Sequence, residues 1–157
     1  MDMPVKLLVF ELEEGRYALN LNQVLRVVNA ADVTMLPELP GIVLGVIEID
    51  RQVVPVLNIR GRFGLKEPAI SLSDHFIIAR TSKRSVALIV DGAVGVIEVP
   101  AQDILRAKGV VPGVRRISGI VQLEDGMVLI HDLDHFLSLD EENQLEVALK
   151  GEHCHET

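Results

Sequence analysis

The sequence predicts a mostly β protein made of short aliphatic strands, and three observations predict it. Of its 157 residues 48% are hydrophobic but only 3% aromatic, with no Trp, so Val, Ile and Leu must build the core. β-Branched side chains suit a packed, pleated surface better than a helix. Short apolar runs recur along the chain with turn chemistry between them, the spacing of a barrel or sandwich. The stretch Gly45–Arg60, GVIEIDRQVVPVLNIR, sets the runs Val46–Ile49 and Val53–Leu57 around the polar turn Asp50–Arg51–Gln52. Pro55 lies inside the second run, which predicts an edge strand or a bulge, because proline cannot donate to a ladder.

The elements follow in order. Val5–Leu12 leads through Glu13–Glu14–Gly15–Arg16 into Tyr17–Leu19, a hairpin. Leu21, Val24, Leu25 and Val28 recur at i, i+3, i+4 and i+7, which predicts a short helix capped by Asn20 or Asn22. The Gly45–Ile59 hairpin comes next. Phe76–Ala79 turns through Thr81–Ser82–Lys83–Arg84 into Val86–Val90, and Asp91–Gly92 breaks the chain before Val94–Val99. Pro100 can open a turn through Ala101–Leu105, since its missing N–H is unpaired at that position anyway. Ile120–Leu123 and Met127–Ile130 flank Glu124–Asp125–Gly126, and Asp-Gly between apolar runs signals a hairpin. Leu133, Phe136 and Leu137 mark another short helix. Asp140–Glu141–Glu142 opens a last one, with Leu145 and Leu149 inward and the acids at the positive end of the dipole. Leu65–Ser73 and Lys108–Gly113 read as loops.

Length admits one domain or two small lobes sharing a core. A net charge of −8 and a pI near 5.1 argue against nucleic acid and against an anionic membrane surface. The lone Cys154 excludes an intrachain disulfide and fits a reducing compartment. Mean hydropathy is +0.32, yet the longest apolar stretch, Leu39–Ile47, carries Pro40, Gly41 and Gly45 and falls short of the roughly 20 residues that a span needs. Leu7–Phe10, cut by Glu11, is too short for a signal peptide. A soluble cytoplasmic protein is expected.

The hairpin layout, with Gly45, Val46, Ile49, Pro55 and Arg60 in place, resembles the CheW-like domain, the bacterial chemotaxis coupling module. The similarity runs from about Lys6 to Leu137 and includes Leu8–Val9–Phe10, Tyr17, Val24, Val90–Asp91–Gly92, Ser118–Gly119 and Asp125–Gly126. By that resemblance residues 4–140 form two intertwined five-stranded, SH3-like barrel lobes on a shared apolar seam, and 141–157 a helix with a disordered tail. The resemblance also implies a scaffold without catalytic residues or cofactor. Its partners would be a chemoreceptor cytoplasmic tip, lying in a groove between the lobes, and the regulatory domain of a CheA-like histidine kinase. No nucleic acid, small-molecule substrate or membrane insertion is expected.

Val24, Arg26 and Val27 fall near the family's receptor-contact segment, and Glu48, Asp50, Arg51 and Arg60 in its signature hairpin. Val24 serves equally as helix core. Several positions depart from the family pattern. Glu48 stands where Asn is usual, Asp50 where Arg is usual, Arg51 where Gly is usual, and Arg26 where Glu is frequent. Replacing Arg by Asp removes a bidentate donor and reverses its charge, which points to an accessory pathway with its own receptor or kinase. Arg51 next door is a candidate for compensation, although adjacent turn residues project differently. Asp50 also serves simply as a good turn residue.

Two alternatives remain. His131–Asp132–Leu133–Asp134–His135 imitates H-E-x-x-H with Asp for Glu, and with His153, Cys154 and His155 it suggests a metal-dependent hydrolase. That chemistry requires both His on one continuous helix, whereas His131 directly follows a strand-like run, which favours a strand-to-helix junction. The other alternative is a β-barrel adaptor for an unrelated partner.

Overall fold

The computed structural model describes residues 4–12, 15–30, 33–59, 74–106, 117–124, 126–135 and 139–155. Among the described residues there are eleven strands: β1 Pro4–Leu12, β2 Gly15–Asn20, β3 Val24–Asn29, β4 Val43–Ile49, β5 Gln52–Leu57, β6 His75–Arg80, β7 Ser85–Val90, β8 Gly92–Pro100, β9 Ile104–Arg106, β10 Ile117–Leu123 and β11 Gly126–His131. Short 3₁₀ turns occupy Leu21–Gln23, Ala101–Asp103 and Leu133–His135, and one α-helix, α1, spans Leu139–His155. The expected loops Leu65–Ser73 and Lys108–Gly113 lie outside the described residues, as do Phe136 and Leu137.

The strands form two sheets, in the orders β8-β1-β2-β11-β10-β9 and β3-β6-β7-β5-β4. The second has the five strands expected of a lobe; the first gains a sixth because β8 pairs along β1 from Pro4 to Glu11. Period-two alternation sends successive side chains to opposite faces, and three apolar clusters result. Leu7, Val9, Ala18, Val121, Val128 and Ile130 pack inside the first lobe. Val54, Val56, Phe76, Ile78, Ala87 and Ile89 pack inside the second. Leu8, Phe10, Leu19, Leu57, Ile77 and Leu88 meet between the sheets in a seam that also takes Leu145 of α1.

The helix expected from Leu21, Val24, Leu25 and Val28 is corrected. A 3₁₀ turn at Leu21–Gln23 runs into strand β3, which carries a bulge between Val24 and Arg26. Turn plus bulge mimic a helical period: Leu21 and Val24 pack on the seam, Val28 on the second lobe's interior, and Leu25 lies exposed. Pro100 likewise precedes the 3₁₀ turn Ala101–Asp103, and Ile104 and Leu105 already belong to β9.

Pro55 needs a different account from the one expected. β5 lies between β7 and β4, not at an edge, and the bulge of this ladder falls on the partner strand β4, between Val43 and Gly45. Val46, opposite Pro55, spends both its N–H and its C=O on Thr34. The Val46–Pro55 pair is therefore a non-hydrogen-bonded one, and the proline nitrogen faces the other side, where β7 pairs only from Val56 onward. Gly45 is required by the same crossing, because a Cβ there would collide with the Thr34 carbonyl oxygen.

Helix α1 buries Leu145 fully and Leu149 partly against the seam. Arg84, following β6, pairs with Glu142 at 3.2 Å with both side chains largely covered. Gln144 Nε2 donates to the Glu38 carbonyl at 3.0 Å. The helix runs to His155, so His153, Cys154 and His155, expected in a disordered end, are helical.

Candidate partner-binding surface

β3 is an edge strand of the second sheet, and its two faces serve different surroundings. Val24 stands opposite Ala79 and Val27 opposite Ile77; both partners belong to the seam, so the two valines share the seam face. Val24 is half-buried there, which gives it a core role as well. Val27 is 36% exposed, since no further strand covers β3. Arg26 stands opposite Ile78, on the face that lines the second lobe's interior.

At the far end of the same sheet, the β4–β5 turn holds Asp50 and Arg51 at φ 50° and 68°. Consecutive left-handed residues make a turn whose twist matches a two-residue hairpin. Asp tolerates this region better than Arg, for which it costs on the order of 1 kcal/mol. Glu48 lies exposed on the outer face of the hairpin, opposite Val53. Arg60 lies outside the described residues.

The sheet curls so that its two ends meet. Arg26 of β3 donates from its guanidinium to the Asp50 carboxylate at 2.7 Å, with the side chains 46% and 80% exposed. Asp50 thus takes its charge partner from the opposite edge of the sheet, not from neighbouring Arg51. Beneath the pair lies a pocket of about 290 Å³ lined by Leu25, Ile49, Val54 and Ile78, with Gln52 and Ser85 at its side. That is at the lower limit of small-molecule pockets, which begin near about 300 Å³, and it is sized for a side chain.

The sequence reading missed Leu25, 58% exposed at the β3 bulge, because a helical period assigns it to the inner stripe. It also missed Val94 and Val96, which lie exposed on the outer strand β8. Reading 24–29 as a β-rich run with three valines would have found the first; only the sheet order identifies the others.

The hydrolase alternative does not fit the geometry. His131 ends β11 and turns inward, its ring 5.3 Å from that of Phe10 and 5.0 Å from that of Tyr17. Burial pushes its pKa down to about 3, keeping it neutral. His135 follows in a separate 3₁₀ turn, so the two histidines share no helix. Among the described residues no group of His, Cys, Asp and Glu gathers into a metal-binding set, and no helix is long and apolar enough to cross a membrane.

Comparison with known proteins gives a consistent answer. A family model described as CheW-like domain matches residues 6–141. Chemotaxis protein CheW of Treponema pallidum is 25% identical over 150 residues, covering 92% of this chain and 88% of that protein. Chemotaxis protein CheW of Rhizobium meliloti is 25% identical over 138 residues, covering 87% and 89%. The crystal structure of the scaffolding protein TtCheW from Thermoanaerobacter tengcongensis superposes with a TM-score of 0.81 at 28% identity, over 88% of this chain and 96% of that one.

Proposed function

This chain belongs to the CheW-like domain family, and on that premise we propose that it is a non-catalytic chemotaxis scaffold. It couples a chemoreceptor cytoplasmic tip to the regulatory domain of a CheA-type histidine kinase, in the cytoplasm. The observation that carries the reading is the uncovered edge strand β3, which exposes Val27 beside the shared seam and Leu25 at the mouth of the second lobe. An apolar strip with polar groups at its rim is what a partner helix requires. Arg26, Asp50, Arg51 and Glu48 supply that rim. They fix register and partner choice more than affinity. Val24 supports the strip from beneath.

The test uses the purified chain, a receptor cytoplasmic fragment and the kinase regulatory domain from the same cell. Both bind the wild type. Val27→Asp weakens receptor binding by roughly tenfold or more, as loss of an interface anchor does, while kinase binding and the melting temperature persist. Binding to neither partner rejects the coupling reading. Equal loss of both together with thermal stability returns Val27 to the core.

A further inference from the structure

We propose that α1 is a positioning clasp for the receptor-binding strip. Its docked face, Glu142, Leu145 and Leu149, holds the β6–β7 turn through Arg84, and that turn braces the rung of the sheet on which Val24 stands. Docked, α1 keeps β3 in the geometry that receives the receptor tip. Loosened, it lowers receptor affinity without touching the receptor. This role rests on the coupling reading and deepens it, since it names what regulates the same surface.

Val24 stands opposite Ala79, and Ala79 stands opposite Val86. Ala79 and Val86 are fully buried in the seam, and Val24 packs against the same cluster. The hairpin tip between Ala79 and Val86 is thus directly behind the strip. That tip is rigid. Thr81 Oγ1 accepts from the Lys83 and Arg84 amides at 3.1 and 3.0 Å and donates to the Arg84 carbonyl at 3.0 Å, so the turn moves as a unit with whatever holds it. What holds it is the chain leaving the first lobe. Asp134, in the 3₁₀ turn after β11, accepts from the Ser82 amide at 2.7 Å. Glu142 Oε2 accepts from Arg84 Nε at 3.3 Å and pairs with its Nη2 at 3.2 Å.

The make-up of the helix face sets how firm that hold is. Glu142, Leu145 and Leu149 follow at i, i+3 and i+7, on one face. Leu145 is fully buried and Leu149 partly so, whereas Val147 lies exposed. Helices in proteins draw most of their stability from packing, and one fully buried leucine is a small anchor for 17 residues. The other buried side chain on this face is a carboxylate. A covered ion pair adds little over apolar packing, but either charge left alone in a covered site is costly. Docking therefore depends on Glu142 meeting Arg84. α1 has two discrete arrangements, seated with the pair made or lifted with both charges hydrated, and such a two-state element is what coupling between separate sites requires.

The experiment compares Glu142→Gln, Arg84→Gln and the apolar replacement R84M/E142L with the wild type, in the full chain and at a temperature where circular dichroism shows each variant folded. Hydrogen exchange in α1 is measured together with affinity for the receptor fragment and for the kinase regulatory domain. Each single variant speeds exchange in α1 and weakens receptor binding by roughly fivefold or more, the low end of ordinary coupling between sites, while kinase affinity stays at the wild-type value. The apolar replacement seats the helix without the charges and restores α1 protection and receptor affinity together. Faster exchange in α1 with unchanged receptor affinity overturns the proposal and leaves the helix an appendage. Unchanged exchange in both single variants overturns it too, because the pair then does not hold the helix. Equal loss of both affinities overturns it in favour of general loosening. Protection restored in R84M/E142L with receptor binding still weak overturns it as well, since the charges themselves would then be the contact. Should a single variant fail to fold, Leu149→Ala, which loosens the same face at a partly buried position, decides in the same way. A wild type that binds neither partner overturns the coupling reading, and the clasp role with it, a result distinct from all of these.

Discussion

In the first lobe the strand β1 is covered by β8 from Pro4 to Glu11. In the second, the corresponding strand β4 is flanked, among the described residues, by an isolated bridge from Thr34 to Val46, and the turn that follows it holds Asp50, paired with Arg26 of β3. The lobes otherwise repeat one plan. Read from one edge, β9-β10-β11-β2-β1 matches β3-β6-β7-β5-β4, with the parallel contact between β11 and β2 in one and β7 and β5 in the other. Each plan begins with a 3₁₀ turn entered at nearly the same backbone angles, φ −59° and ψ 127° at Asn20 and φ −61° and ψ 139° at Pro100. The turn leads into Val24–Leu25–Arg26 in one lobe and Ile104–Leu105–Arg106 in the other, and Leu25 and Leu105 are 58% and 59% exposed. The difference lies in what flanks that strand: the ladder of β8 along β1 in one lobe, the Thr34 bridge and the Arg26–Asp50 pair beside β4 in the other. A backbone ladder does not depend on side chains, whereas an ion pair changes with one substitution. The second lobe is therefore where one substitution can alter that contact without loss of the fold.

The largest test of this contrast compares glycines. Gly45→Ala drives a methyl into the Thr34 carbonyl oxygen, which is backbone, whereas at Gly119 the new methyl meets the Ile104 Cγ2 at 2.7 Å, which is side chain. Overpacking against backbone is expected to cost about 3 kcal/mol at position 45 and about 1 kcal/mol at position 119. Urea unfolding of both variants measures the ratio; equal losses would show that the 33–34 crossing is not the rigid point of the second lobe.

Next in size is a pH effect confined to the first lobe. β7 and β11 end at Val90 and His131, both buried, but only His131 titrates. Its folded pKa is about 3, below the unfolded value near 6.5. The unfolded chain therefore binds the proton first as pH falls. The stability of the neutral buried ring is fully present above about pH 6.5 and declines by about 1.4 kcal/mol per pH unit on the way toward pH 3. Unfolding free energies measured at about pH 7.5 and pH 5 should differ by about 2 kcal/mol from this group. His131→Phe should flatten the slope over that window; an unchanged slope would assign it to carboxylates elsewhere.

The helix sharpens the comparison further. α1 follows the first lobe in the chain, yet its polar ties to Arg84 and Glu38 lie beside the second. Glu142→Gln leaves Arg84 with a weaker partner in a largely covered site and should cost about 1–2 kcal/mol. Hydrogen exchange should show the loss concentrated in α1. A loss spread evenly over the molecule would mean that Leu145 alone holds the helix. The smallest effect on stability belongs to Arg26→Ala, at about 0–1 kcal/mol and shrinking with salt. A larger cost would mean that the ion pair is structurally necessary to the second lobe.

Much of this was legible beforehand where the period was clean. Leu8, Phe10 and Leu12 alternate with Leu7 and Val9 along β1, and the hairpins at Asp125–Gly126 and Thr81–Arg84 announce themselves by turn chemistry. Residues 21–28 were misleading because a 3₁₀ turn and a bulge reproduce helical spacing. Pro55 was misleading for another reason: which side of a strand its nitrogen faces depends on the partner strand's register, and here Val46 is occupied by Thr34.

The candidate site divides in the same way. Arg26, Val27, Glu48 and Asp50 could be chosen from sequence as departures or exposed positions in a recognisable hairpin. That Arg26 and Asp50 form one feature could not. The sequence by itself determined the strand runs, their apolar faces and the aliphatic core, because alternation and turn chemistry are local. The tertiary structure alone decided which strands are edges, which valines are left uncovered, and that a charge on β3 meets a charge 24 residues onward. Those outcomes depend on how far a sheet curls before its ends meet, and that curl comes from twist and packing summed over every strand, which no single stretch of sequence encodes.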